Sequence, residues 1–577
     1  MRYRLLLCLF VGCLASVSSW AQQDLNSTVQ VSRTYEGRLM EVVKPTLPVG
    51  YADSLNRFDL RFDYKFSERP FRDLYEFSPL QSVAYHSEGK LVYPWFYAHI
   101  GLAYPWLPVA DLYFQPNLGE HWSWVLYGNH SSFWGRVPGQ QVNPVTGDLE
   151  QGGSRPHGDR MSNHVGTRVT YAWKKGDVSL GFDFGNHYRS YYGSRYGVGK
   201  EGVELGWLSD DRSYLRDSLS HNYDIMAVDV QFRSAQPDRH AFSYNVNLKY
   251  AQTKDRMNLF GGVFKDPAVE NLVEADVELG KTFQRDHRIL LDLKSVNVVS
   301  GDAVGLLELV PRYRYERDRW LLDLGLALAG MYAPEDVSLD MAHVYPDVNV
   351  YFEAVPSWLW VYARLDGENV LNTRQSMLAV NPWLTPNAPL QISYIPLQGA
   401  LGARGVLWNA LTFDLACSYG QLCNRLTATG DFYAPVRYEQ PVNRFKTMFS
   451  LLWKTVNFEG GVEMSYAHYA KDATAVDQMV MMAPAWEGQA FARYNLRERF
   501  ILSVEAQYRH SVYGDLGKAG VVQLPAYWDV DAKFTYVLNR KYSFYVSGNN
   551  LLDASIQYVP GYLEPGINFG LGVCCKF

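Results

Sequence analysis

From Val92 to the C-terminal Phe577 the chain is a succession of short segments in which apolar and polar residues alternate. Trp528, Val530, Ala532, Phe534, Tyr536 and Leu538 share one parity, and Asp529, Asp531, Lys533 and Thr535 take the other. Phe500, Leu502, Val504, Ala506 and Tyr508 oppose Ser503, Glu505, Gln507 and Arg509 in the same way. Side chains of a β-strand change face at every residue, so each segment is a strand with one greasy and one wet face. In a soluble sandwich the greasy faces meet in a core. In a membrane barrel they face lipid and the wet faces line the lumen.

The rhythm predicts 22 strands, at 93–102, 108–115, 121–132, 163–173, 177–188, 222–233, 240–251, 271–284, 288–299, 305–316, 319–331, 346–354, 358–366, 398–405, 410–419, 444–454, 457–468, 486–496, 499–510, 527–537, 541–550 and 567–577. The connections decide between sandwich and barrel. One set is tight and polar or Pro-marked: 174–176, 235–239, 284–287, 316–319, 355–357, 454–456, 497–498 and 539–540. The alternate set is long: 133–162, 189–221, 252–270, 332–345, 367–397, 420–443, 469–485, 511–526 and 551–566, with short exceptions near Pro105 and Gly301. Regular short and long alternation predicts an all-β fold, a large transmembrane antiparallel β-barrel of about 22 strands. Its short turns face the periplasm, its long loops face outward, and both termini are periplasmic.

Composition agrees. The chain is 47% hydrophobic and 15% aromatic, with 41 Tyr and 16 Trp, yet its mean hydropathy is only -0.21. It has no apolar run of about 18 residues, so helices do not carry it through a membrane. Residues 1–21 read as a signal peptide: Arg2 and Arg4, the apolar run Leu5–Leu14, then Ser19-Trp20-Ala21 before Gln22. Cys13 after Gly12 raises a lipoprotein cut as the alternative, but the apolar run continues past it. Residues 22–91 lack the rhythm except at Phe58, Leu60, Phe62, Tyr64 and Phe66, and are expected to form a periplasmic or lumen-entering extension. Residues 92–577 form the barrel. Cleavage after Ala21 removes two of the 54 basic residues and none of the 60 acidic ones, giving 52 − 60 = −8. That balance is not a nucleic-acid footprint. Cys417 and Cys423 are placed either to bridge near a loop or to stay as thiols, and Cys574 and Cys575 point to opposite faces.

The stretch Tyr542-Ser-Phe-Tyr-Val-Ser-Gly-Asn-Asn-Leu-Leu-Asp553, then Tyr558-Val-Pro-Gly561, Phe569-Gly-Leu-Gly572 and the final Phe577, resembles the end of TonB-dependent receptor barrels. The segment from Tyr97 through Asn129-His-Ser-Ser132 is similar to a group of Bacteroidota outer-membrane proteins related to those receptors. The resemblance implies outer-membrane location, insertion signalled by the terminal aromatic, and solute transport. The chain departs from the family at its start. Only about 70 residues lie between Gln22 and the first strand, fewer than a globular plug needs, and they lack a Gly-rich mixed α/β pattern. The expected function is passive or partner-gated passage of a solute, without a plug. The alternative is a structural role in an outer-membrane assembly. Outer-membrane lipid, the barrel insertion machinery and periplasmic or lipoprotein partners are the expected associates. The solute is not specified.

Candidate chemistry is sparse. His130 and Ser132 share the parity of Trp122, Trp124 and Leu126, and Asn163 that of Val165, Val169 and Trp173. A Ser nucleophile, a His base and an Asn orienter follow nucleophilic-triad logic, and the arrangement resembles the His-x-Ser with a downstream Asn in outer-membrane phospholipases. A lipid-facing hydrolase is therefore an alternative. Polar rim residues at headgroup level are the simpler reading, since phospholipase barrels have far fewer strands, and no catalytic residue is assigned. Glu274, Asp276 and Glu278, Glu459 and Glu463, and Arg493, Glu505 and Arg509 fall on lumen faces. The first three form either a cation-selecting ladder or a hydrated wall paired with neighbours. Tyr191, Tyr192, Tyr196, Arg212 and Tyr214 suit sugar or peptide capture and loop packing over a barrel mouth equally. Gly193, Gly197 and Gly199 before Lys200 lack a strand–loop–helix context and read as a loop. No metal or cofactor is expected.

Overall fold

A computed structural model describes residues 94–577 except 143–148, 152–154, 193–218, 236–241, 260–266, 284–285, 301–302, 333–341, 386–387, 409, 432–433, 472–478 and 518–519. The signal peptide, the 22–91 extension with its strand at Phe58–Phe66, Tyr196, Arg212, Tyr214 and the Gly193–Lys200 run lie outside the described residues.

Twenty-two strands form one antiparallel sheet in which each pairs with its neighbours in sequence. The sheet closes on itself: the first strand, Phe96–Tyr104, pairs with the last, Asn568–Lys576, from Tyr97↔Lys576 to Tyr104↔Phe569. Closure leaves no unpaired edge, which is what a hydrocarbon surround demands. Each predicted strand has its counterpart.

The greasy faces point outward. On the strand Trp320–Tyr332, Trp320, Leu324, Leu326, Leu328 and Tyr332 are exposed, while Asp323, Ala327, Ala329 and Met331 are buried on the lumen side. Trp320 and Tyr332 are twelve residues apart, about 40 Å along a strand. At a tilt of about 40° this spans roughly 30 Å, so the two rings mark the two interfaces.

The lumen wall is built from cross-strand ion pairs. Arg312 reaches Asp292 at 3.1 Å and Asp347 at 2.8 Å, and Arg168 reaches Asp229 at 2.9 Å. Glu274 pairs with Lys249 at 2.8 Å and Glu278 lies 3.9 Å from Arg288. Two of the three carboxylates of the acidic ladder thus have cations beside them, as the paired-wall reading expects.

The strands differ from expectation at their outer ends. The segment expected at 240–251 runs Phe242–Leu259, 358–366 runs Leu359–Leu371, and 398–405 runs Ile392–Leu407. Backbone pairing continues there beyond the hydrocarbon, where no apolar alternation is required. Gln252, Lys254 and Arg256 therefore occupy the outward-facing parity of a strand that still pairs. Among the described residues, four short two-stranded ribbons lie in the loops, including Arg425–Ala428 with Val436–Glu439 and Val512–Asp515 with Val521–Leu524.

Cys417 and Cys423 are both free. They lie six residues apart along extended chain, about 20 Å, whereas a disulfide needs Cα atoms within about 7 Å. The bridge is thereby excluded. Cys574 pairs with His99 and Cys575 with Ala98, on opposite faces as expected.

Candidate functional site: a lid across the barrel mouth

The connection 372–391 joins the thirteenth and fourteenth strands, and it folds inward. Its core is a helix of about two turns, Arg374–Val380. Thr373 caps it, its hydroxyl accepting from Ser376 N at 3.2 Å. Arg374, Met377 and Leu378, spaced i, i+3, i+4, form its buried stripe. Asn381 ends the helix, and Pro382 follows it.

This segment reaches strands five to eight places away around the barrel. Glu270 on the eighth strand accepts from Arg374 N with both carboxylate oxygens, at 3.0 and 2.7 Å. Arg374 Nη1 donates to Asp255 Oδ2 on the seventh at 3.1 Å. Asp255 also meets His221 Nε2 on the sixth, and His221 Nδ1 donates to Pro382 O at 2.7 Å. Trp383 Nε1 donates to Ser190 O on the fifth at 2.9 Å. His221, Asp255, Glu270 and Arg374 are all buried. A network of buried charges holds one geometry, because each member stripped of its partner is costly.

The other flank is tied as well. Asn381 Nδ2 donates to Pro435 O at 2.7 Å, and Tyr438 Oη donates to Pro389 O at 3.0 Å. The Trp383 ring stacks on Tyr562 with centroids 3.8 Å apart, and Tyr192 packs edge-on against both. Tyr192 Oη donates to Leu563 O at 2.9 Å. Burial pushes the Tyr191, Tyr192 and Tyr438 phenols well above their ordinary range. Tyr191 and Tyr192 are therefore packing residues of the mouth, one of the two roles expected for them. Met377, Leu378, Leu384, Ala388, Tyr223 and Val436 form a small core under the lid.

The sequence expected 367–397 to be a long outer loop and did not assign it a site. The signals that it carries are Thr373 before a helical apolar stripe and the Asn381-Pro382-Trp383 break. The ion partners Asp255 and Glu270 are far away in sequence and show no motif.

The lipid-face constellation does assemble. His130 pairs with Asn163 across two adjacent strands, and Ser132 pairs with Met161. His130 Nδ1 lies 2.6 Å from Asn163 Oδ1, and His130 Nε2 lies 3.0 Å from Ser132 Oγ. All three share the outward parity of Ala110 and Val165. Among the described residues, no group of three His, Cys, Asp or Glu is placed to hold a metal ion.

No protein-family model matches the chain, and no curated protein matches it in sequence. Solved structures do match. The chain is similar to the siderophore receptor PirA of Acinetobacter baumannii, at 11% identity and a TM-score of 0.61, over 85% of this chain and 81% of that one. It is also similar to the ferric enterobactin receptor of Pseudomonas aeruginosa in complex with enterobactin, at 12% identity and a TM-score of 0.59, over 84% and 81%. The FrpB iron transporter of Neisseria meningitidis matches at 10% identity and a TM-score of 0.60, over 84% and 83%. At these identities the likeness is one of fold.

Proposed function

We propose that this large outer-membrane β-barrel is a gated passage for a solute, with the 372–391 connection as its extracellular gate. The carrying observation is the lid itself, anchored through His221, Asp255 and Glu270 to strands far from its own. The fold shared with receptors and transporters of iron chelates supports transport as the class of activity. Residues 22–91 are assigned as the periplasmic or lumen-entering extension, in place of a full plug, through which a periplasmic or lipoprotein partner acts.

The test is solute flux into proteoliposomes. The intact chain is expected to admit neutral sugars no faster than empty vesicles. Removing the tip of the lid, residues 375–389, is expected to give rapid swelling. A barrel that stays impermeable after that deletion, with residues 22–91 removed as well, contradicts gating and favours the structural-assembly reading.

A further inference from the structure

The lipid-face Ser132, His130 and Asn163 belong to a longer row of hydrogen bonds, and that row has a direction. Asn163 Nδ2 donates to Asn186 Oδ1 at 3.5 Å. Asn186 Nδ2 donates to Asp224 Oδ1 at 2.6 Å, and Arg256 Nη2 donates to Asp224 Oδ2 at 3.1 Å. The register places His130, Asn163, Asn186 and Asp224 opposite one another on four successive strands. The row runs along the outside of the barrel just beyond the apolar band of Val165 and Phe184.

The carboxylate at its end sets every bond behind it. An ionised Asp224 only accepts, so Asn186 must present its amide NH2 to it. The Asn186 carbonyl then turns back toward the Asn163 NH2. The Asn163 carbonyl is left facing His130, which must carry its proton on Nδ1 to donate. A neutral imidazole protonated at Nδ1 has its lone pair on Nε2. That lone pair faces Ser132 Oγ at 3.0 Å, so the hydroxyl donates to it. A row of side chains that only decorated the rim at headgroup level would need no common polarity. This one leaves a basic nitrogen aimed at a serine hydroxyl, with the base oriented by a third group.

We propose that Ser132 is an acyl-accepting nucleophile toward carboxylic esters of outer-leaflet lipids. His130 is its general base, and Asn163, Asn186 and Asp224 are positioning residues. Ser132 Oγ forms a bond to the ester carbonyl carbon while its proton passes to His130 Nε2. The carbon–oxygen bond to the lipid alcohol breaks, and His130 returns the proton to the departing oxygen. Water then attacks the acyl carbon, giving a proton to His130 Nε2; the bond from that carbon to Ser132 Oγ breaks, His130 returns the proton to Oγ, and a free fatty acid leaves. The substrate class follows from place. An ester of a membrane lipid lies at the junction of headgroup and hydrocarbon, where this row sits, and water reaches that level. Ser132 is only 5% exposed. Met161 lies opposite it on the next strand, and a lipid chain gains the hydroxyl by parting the side chains around it.

The experiment uses the full-length protein in vesicles of fluorogenic diacyl phosphatidylethanolamine, together with a fluorophosphonate label mapped by mass spectrometry. The wild-type chain is expected to release fatty acid and to carry the label on Ser132. Ser132→Ala and His130→Ala are expected to lose about 100-fold or more in hydrolysis, with heat-modifiable gel migration unchanged. Asp224→Asn no longer fixes the row's direction, and is expected to lower kcat about tenfold with KM unchanged. Equal hydrolysis by wild type and Ser132→Ala, or a folded wild-type barrel with neither hydrolysis nor label, overturns the proposal.

Discussion

Tyr545 Oη lies 2.8 Å from His99 Nε2, joining residues 446 positions apart in sequence. His99 Nδ1 in turn lies 2.6 Å from Asp111 Oδ2. Tyr545 is on the penultimate strand and His99 on the first, so the phenol reaches across the last strand and clasps the seam where the barrel closes. The crossing is possible because Gly572 and Gly101 lie beneath the ring. A Cβ at Gly572 would stand 2.4 Å from Tyr545 Cε1, and one at Gly101 2.2 Å from its hydroxyl.

Removing the hydroxyl with Tyr545→Phe takes one hydrogen bond from the buried His99 ring and is expected to cost about 1 kcal/mol. Gly572→Ala drives the ring off its bed and is expected to cost more, about 1–3 kcal/mol. Urea unfolding in lipid vesicles, followed by heat-modifiable gel migration, measures both. Equal stability of Gly572→Ala and wild type would show that the seam does not depend on this contact.

The latch is expected to fail when its central carboxylate goes. Asp255→Ala removes the carboxylate that pairs with the buried Arg374 guanidinium at 3.1 Å, at a cost of about 3–5 kcal/mol. The loss falls on the lid, so backbone amides of 374–384 are expected to exchange faster by hydrogen–deuterium mass spectrometry. Protection on the strand Trp320–Tyr332 is expected to stay unchanged. Loss of protection throughout the barrel would instead make the latch a part of the global fold.

Parity separates tolerant from intolerant sites. Leu326 faces lipid near the middle of its strand, and Leu326→Arg is expected to cost about 2–4 kcal/mol. Glu463 faces the lumen, where it accepts from Gln489 at 2.9 Å, and Glu463→Gln is expected to fall within about 0.5 kcal/mol of wild type. The two unfolding midpoints compared in the same vesicles decide the assignment of faces.

Cysteine chemistry offers a simple check. Alkylation of the unfolded protein without reductant is expected to modify Cys417 and Cys423 alike. A peptide pair linked through those two residues would contradict their separation on one extended strand.

The barrel was legible in the sequence because lipid imposes a two-residue period on every strand that crosses it. Trp528 through Leu538 and Phe500 through Tyr508 carry that period plainly, and strand number and facing follow from it. Beyond the hydrocarbon the constraint lapses, so the outer ends at Leu259 and Ile392 were not marked. The lid was less legible for a related reason. Its anchors Asp255 and Glu270 lie more than a hundred residues from Arg374, and three-dimensional closure alone brings them together. His130, Ser132 and Asn163 were visible through parity. The amide–carboxylate row that orients them was not, since Asn186 and Asp224 look like ordinary polar residues until the register aligns them.

The central claim is that a latched lid shuts an otherwise passable barrel. Single-channel recording in planar bilayers tests it most directly. Wild-type protein should insert without steady conductance, and Asp255→Ala should show discrete open events that lengthen when residues 375–389 are removed. A wild-type chain that conducts steadily, at the level of the lid deletion, would contradict the account.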